Sequence, residues 1–192
     1  MNLFYENYPN TITVGGRDIS IVTDFREYVK LIDMLKDDSL SSTEKMCFLS
    51  QYFLEVPDDF SEAMEKLTDF IIMESKDNAV RDEAEPREIE EAENKKEVYS
   101  FDYDYPFIFS AFLSEYGINL RTIKYMHWWE FKLLFDGLSE KTEIKQRILY
   151  RSIDLNTIKD KNERERIKKI QNSIRLPQDR LSDYDIGDAF GW

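Results

Sequence analysis

Few residues in this chain have the chemistry of an active site. It has one histidine, His127, and one cysteine, Cys47. A Cys–His dyad would need these two brought together from distant parts of the sequence. Glu130 lies three positions after His127, within helical reach as an orienting carboxylate, but no nucleophile accompanies them. Cys47 falls on an apolar helical stripe, which predicts a buried structural thiol. One His and one Cys do not make a usual zinc site without several carboxylates. "FDYDY" puts Asp102 and Asp104 on one face if that segment is extended. The alternative is that one of them caps a helix that has Pro106 in its first turn. "DYDIGD" groups Asp183, Asp185 and Asp188 beside a glycine, but the closing glutamate of a calcium loop is missing. In a chain with 39 acidic residues such groupings arise by chance. No phosphate-cradling, dinucleotide, zinc-protease or nucleophile-elbow motif occurs. The residues therefore predict no catalytic group, no metal and no cofactor.

The bulk properties point the same way. The length of 192 residues suits one moderate domain or two small ones. Hydrophobic residues make up 42% and aromatics 14%, enough for a packed core. The net charge of −13 repels a phosphate backbone, so nucleic acid is not an expected partner. A single cysteine fits a reducing compartment. No run reaches the roughly 20 apolar residues of a membrane span, and "MNLFYENYPN" lacks the pattern of a signal peptide. These features predict a cytoplasmic protein without membrane contact.

The elements that must hold these residues are mainly helical. "TITVGGRDISIV" alternates apolar and polar residues around Gly15-Gly16, the pattern of a β-hairpin. Asp24 then caps a helix carrying Phe25, Tyr28, Val29, Ile32 and Leu35. Ser41 or Ser42 caps a second, with Met46, Leu49 and Phe53. Pro57 with Asp58 or Asp59 opens a third, striped by Phe60, Ala63, Met64, Leu67, Phe70 and Ile71. Residues 74–97 are acid-rich, contain Pro86 and predict a solvated connector. A stripe of Ile108, Phe109, Phe112, Leu113 and Tyr116 follows, ended by Gly117. Further helices are expected through 128–138, from a Ser139 cap over Ile144, Ile148 and Leu149, and over Ile158, Ile167, Ile170 and Ile174. Pro177 ends the last. The predicted architecture is a β-hairpin packed on a bundle of six to seven helices. Its regions are 1–75, an acidic linker 76–98, an aromatic-rich helical region 99–176 and a polar tail 177–192.

One stretch stands apart. "TIKYMHWWEFKLLFDGL", residues 122–138, places Trp128, Phe131, Phe135 and Leu138 on one helical stripe, with Trp129, Leu133 and Leu134 widening it. An arc this broad exceeds what one neighbouring helix covers. Most of it reads as core. The remainder marks a candidate partner surface, since Trp and Tyr favour interfaces. Its candidate residues are Tyr125, Trp128, Trp129, Phe131 and Phe135, with Phe190 and Trp192 from the tail.

Three pieces together resemble a bacteriophage family named after the fifteenth gene product of a phage of Gram-positive bacteria. They are Phe101 to Tyr105, His127 to Trp129, and Tyr150 to Leu155. The opening "VGGRDISIVTDFREYVKL" is similar to the family's N-terminal hairpin and helix. The resemblance covers about 10–75 and 98–176 and leaves out the acidic connector and the tail. It implies a tail-assembly chaperone of long-tailed phages that binds the tape-measure protein and helps recruit tail-tube protein, with a second copy of the chain, as a homo-oligomer, among the candidate partners. It brings no catalytic residues. Physically, a long helical partner with apolar faces calls for apolar grooves on a charged exterior. Copies along one rod would gain avidity. An alternative from the charge alone is an acidic inhibitor, a nucleic-acid mimic aimed at a host or defence protein. The basic stretch Lys159 to Lys169 argues against a uniform mimic surface. A carboxylate- or metal-dependent enzyme is the third reading.

Overall fold

The glycine pair does what its position demands. Gly15 and Gly16 have φ of +57° and +78°, the left-handed values a tight two-residue hairpin turn needs. They join β1 (Thr11–Val14) to β2 (Arg17–Ser20) in antiparallel register, Thr11 opposite Ser20 and Val14 opposite Arg17. In this computed structural model the described residues are 5–37, 39–73 and 97–177. The expected acidic linker (except Glu97 and Val98), the tail after Pro177, and with them Asp183, Asp185, Asp188, Phe190 and Trp192 lie outside the described residues.

Among the described residues there are seven α-helices: α1 (Phe25–Leu35), α2 (Ser42–Ser50), α3 (Phe60–Ile72), α4 (Phe101–Tyr116), α5 (Trp128–Asp136), α6 (Glu143–Ser152) and α7 (Lys161–Ser173). The chain is thus mainly helical with an N-terminal hairpin, and the hairpin's β1 packs on α3. Short-range chemistry starts most of these helices. Asp24 accepts the Arg26 N–H to cap α1. Ser41 and Glu44 form a reciprocal capping box on α2. Asp59 and Asp160 cap α3 and α7. Thr142 begins α6 without a side-chain cap; Ser139, the expected cap, instead accepts the Lys141 N–H outside the helix.

The chain folds as two compact units. The first comprises Met1–Glu91 and Thr122–Asp136, the second Ala92–Arg121 and Gly137–Trp192. Sequence order had placed the Trp-rich helix with the rest of 99–176. It packs instead on α1 of the first unit, because its rings complete that unit's aromatic core.

In the first unit Ile12, Val14 and Ile19 of the hairpin and Ala63, Leu67 and Phe70 of α3 are all buried, and β1 packs on α3. A short bridge pairs Ile21 with Phe53, so Phe53 is buried beyond the end of α2 rather than on it. Helix α1 buries Phe25, Tyr28 and Leu31, not the expected Ile32 and Leu35. Helix α2 buries only Leu49. Of the expected stripe Met46 is exposed, as are Cys47 and Phe48. Cys47 is therefore not a core thiol.

In the second unit α4 packs on α6, and α6 on α7. Ser100, not Asp102 or Asp104, caps α4. Gly117 ends it at φ +67°. Pro106 lies in the second turn. Asp104 is fully buried and meets Arg151 in a two-pronged ion pair, Nη1 to Oδ2 at 2.6 Å and Nη2 to Oδ1 at 3.0 Å. Arg151 also donates to the carbonyls of Ile174 (2.7 Å) and Val98 (3.1 Å), and Asp104 accepts the Ser100 N–H. The pair ties α4, α6, the end of α7 and the approach to α4 at one point. Nothing in the sequence spacing marked it, since its partners lie on different helices.

Candidate functional site

Residues 126–128 run beside 23–25 as a short antiparallel pairing. Phe25 N–H donates to the Met126 carbonyl at 3.0 Å, and Trp128 N–H donates to the Thr23 carbonyl at 2.8 Å. This pairing sets the start of α5. His127 sits at its hinge with both ring nitrogens engaged. Nδ1 accepts the Trp129 N–H at 3.0 Å. Only the tautomer protonated at Nε2 leaves Nδ1 free to accept, so Nε2 donates to the Pro9 carbonyl at 3.0 Å. The ring stacks on Tyr8 at 4.8 Å and stands edge-on to Phe70 at 5.8 Å. Burial lowers the imidazole pKa, partly offset by the bond to Pro9. The side chain thus acts as a neutral N-cap for α5. It has no lone pair left to activate Cys47, and the electrostatic influence of Glu130 falls on the Tyr8 phenol, whose pKa burial chiefly raises.

The adjacent rings serve the end of another helix. Helix α3 ends at Met73, which takes the left-handed conformation at φ +62° without being glycine. The strained turn leaves the last carbonyls of α3 pointing at α5. Trp129 Nε1 donates to Phe70 O at 2.8 Å, Trp128 Nε1 to Ile71 O at 3.0 Å, and Lys132 Nζ to Ile72 O at 3.1 Å. Three consecutive carbonyls receive three side-chain donors from one helix. Lys132 is half-buried, which lowers its pKa against the opposing pull of Asp136.

Behind these donors the rings interlock around Tyr28, which is completely buried. Tyr28 lies 5.4 Å from both Phe70 and Trp128 and 5.5 Å from Tyr52, while Phe131 stacks on Phe25 at 4.6 Å and on Phe135 at 6.2 Å. Its hydroxyl donates to Val22 O at 2.6 Å, and burial raises its pKa. The Tyr52 hydroxyl donates to Glu27 O at 2.6 Å; burial, then the nearby Glu27 carboxylate, push it up to about 12.

This geometry corrects the expected partner surface. Trp128, Trp129, Phe131 and Phe135 are all buried by their own unit. Two of the indoles are hydrogen-bonded to α3, and a partner could reach them only by opening the core. Tyr125 alone of the described candidates is exposed, and its hydroxyl bonds to Thr23 Oγ1 at 2.8 Å. Leu138 lies past the end of α5, and Leu133 faces outward.

Apolar surface of the first unit is open elsewhere. A groove of about 330 Å³ runs between α1 and α2, lined by Val22, Leu31, Met34, Phe48 and Tyr52, with Glu27 and Lys30 on its rim. Phe48 and Met46 remain 44% and 45% exposed. The sequence did carry a signal for it: α2 has apolar residues on all sides, more than one buried face can use. Among the described residues no group of three or more His, Cys, Asp or Glu side chains is placed to hold a metal, and no helix is long and apolar enough to cross a membrane.

The hairpin, the caps and the Trp-bearing helix define a mainly helical protein that invests its most distinctive residues in its own packing. The family model described as bacteriophage Gp15 protein matches residues 4–176, and the chain belongs to that family. The match runs through the acidic stretch that the motif resemblance had left out, and it stops one residue before Pro177. No curated protein and no solved structure matches the chain.

Proposed function

We propose that this protein acts by binding, as a phage tail-assembly chaperone for the tape-measure protein, with tail-tube protein as a further partner, in the cytoplasm of the bacterial host. Membership of the bacteriophage Gp15 family is the observation that carries the reading. The groove between α1 and α2 supports it. Met34, an adaptable side chain, and the half-exposed Phe48 ring are suited to holding the apolar face of a helix there. The net charge of −13 keeps such a surface soluble. In this reading the protein works without a catalytic residue, and the groove replaces the buried tryptophan helix as the contact surface.

Co-expression with fragments of the tape-measure protein from the same phage tests it. The expected result is a soluble complex that survives purification and that Phe48→Glu weakens at least tenfold. Phe48 contributes little to the core, so far-UV circular dichroism of that variant should match the wild type. Failure of the wild type to solubilise or bind any tape-measure fragment overturns the proposal. Binding that disappears with salt but not with Phe48→Glu would favour the acidic-inhibitor reading instead.

A further inference from the structure

Helix α7 runs against the charge of the rest of the chain. Its sequence, KNERERIKKIQNS, has five basic side chains and two acidic ones in a protein of net charge −13. Ile167 is buried, and Gln171 is tied down by the carbonyls of Tyr150 and Ile153, both at 2.8 Å. These contacts fix which side faces the unit. Lys161, Arg164 and Lys168, at i, i+3 and i+7, share a stripe along one flank of the packed side, and Lys169 lies farther round with Glu165 between; all five are exposed. Arg166 is paired with Glu163. Arg164 donates to the Ile158 carbonyl, which leaves its charge uncompensated. Among the described residues no acidic side chain pairs with Lys161, Lys168 or Lys169.

A complementary row lies along α3. Glu62, Glu65 and Asp69 follow one another at spacings of three and four, which keeps them on one helical face, and Asp58 stands just before the Asp59 cap at the start of the helix. Glu62 holds the hairpin through the Gly15 N–H, and Lys66 bridges Glu65 and Asp69. The Asp58 and Glu65 side chains are nevertheless 78% and 71% exposed, and Arg17 reaches Asp58 only at 3.6 Å. The row remains net negative.

We propose that the cationic face of α7 docks on the acidic row of α3 in a second copy of this chain. The two surfaces differ, so the contact is head-to-tail and each copy keeps a free donor face and a free acceptor face. Association therefore does not stop at a dimer. Exposed ion pairs are individually weak and are screened within roughly 8 Å at physiological salt. The contact is accordingly weak for two free copies, and it strengthens when many copies are held along one scaffold. The inference does not depend on tape-measure binding.

Sedimentation velocity on the full chain, at low ionic strength and at high salt, tests it. The wild type is expected to show concentration-dependent association at low salt that high salt removes. A Lys161→Glu, Lys168→Glu, Lys169→Glu variant and an Asp58→Lys, Glu65→Lys variant should each sediment as monomers while retaining the wild-type circular dichroism. Mixed together, they should associate again, because each retains one native face and the reversed faces complement one another. A monomeric wild type at low salt, variants that still associate, or a mixture that stays monomeric would each overturn the proposal. So would a wild type that fails to self-associate but binds a short DNA duplex through Lys161 and Lys168.

Discussion

Replacing Asp104 with asparagine changes one oxygen to an amide and leaves the volume of the second unit almost untouched. Its effect should nonetheless be large. Asp104 is fully buried, and Arg151 is only 3% exposed. The guanidinium has three anchors: the Asp104 carboxylate, the Ile174 carbonyl and the Val98 carbonyl. In Asp104→Asn the charge of Arg151 remains buried against a neutral group, one of whose heads is itself a donor. Breaking a buried pair in this way costs about 3–5 kcal/mol. For a chain of this size that lowers the melting temperature by roughly 6–20 °C. Urea titration followed by far-UV circular dichroism should show a lower midpoint at unchanged slope. The double variant Asp104→Leu, Arg151→Met removes both charges but strands the two carbonyls and the Ser100 N–H. It should lose less than the sum of the two single variants. An Asp104→Asn protein within about 1 kcal/mol of wild type would refute the claim that this pair organises the second unit.

Two further outcomes follow from the caps. The His127 pKa is lowered by folding, so the unfolded chain takes up its proton first as the pH falls. The stabilisation is complete above the unfolded value of about 6.5 and is lost as the pH drops from there through the lower folded value. His127→Asn keeps an acceptor for the Trp129 N–H without titrating, and its urea midpoint, read from tryptophan fluorescence, should depend less on pH across that range. Parallel profiles for the two proteins would contradict the cap. In Gly117→Ala the new Cβ meets nothing within 4 Å, so any loss comes from the left-handed backbone alone. It should be about 1–2 kcal/mol by urea titration, and no loss would mean that the end of α4 is not held at that conformation.

The local parts of the fold were legible. The hairpin turn, the Asp24 cap and the Gly117 stop depend on residues within a few positions of one another and are where the sequence placed them, and of the alternatives it left open Ser41 rather than Ser42 caps α2 and Asp59 rather than Asp58 caps α3. The burial of α2 was misread because its apolar residues encircle the helix, and periodicity gives no preferred face in that case. The same logic explains Asp104. In a chain so rich in acids a buried carboxylate resembles any exposed one until its arginine is located, and Arg151 lies on another helix.

From residue types and spacing alone come the helical class, the order of the elements and the caps of α1 to α3, because each is written in neighbouring positions. Only the folded chain decides that Trp128, Trp129 and Lys132 close the end of α3, that His127 is a neutral cap, and that an apolar groove opens between α1 and α2. The carbonyls those donors satisfy belong to residues 70–72, more than fifty positions away in sequence. Hydrogen bonding depends on distance in space, which spacing along a chain does not encode.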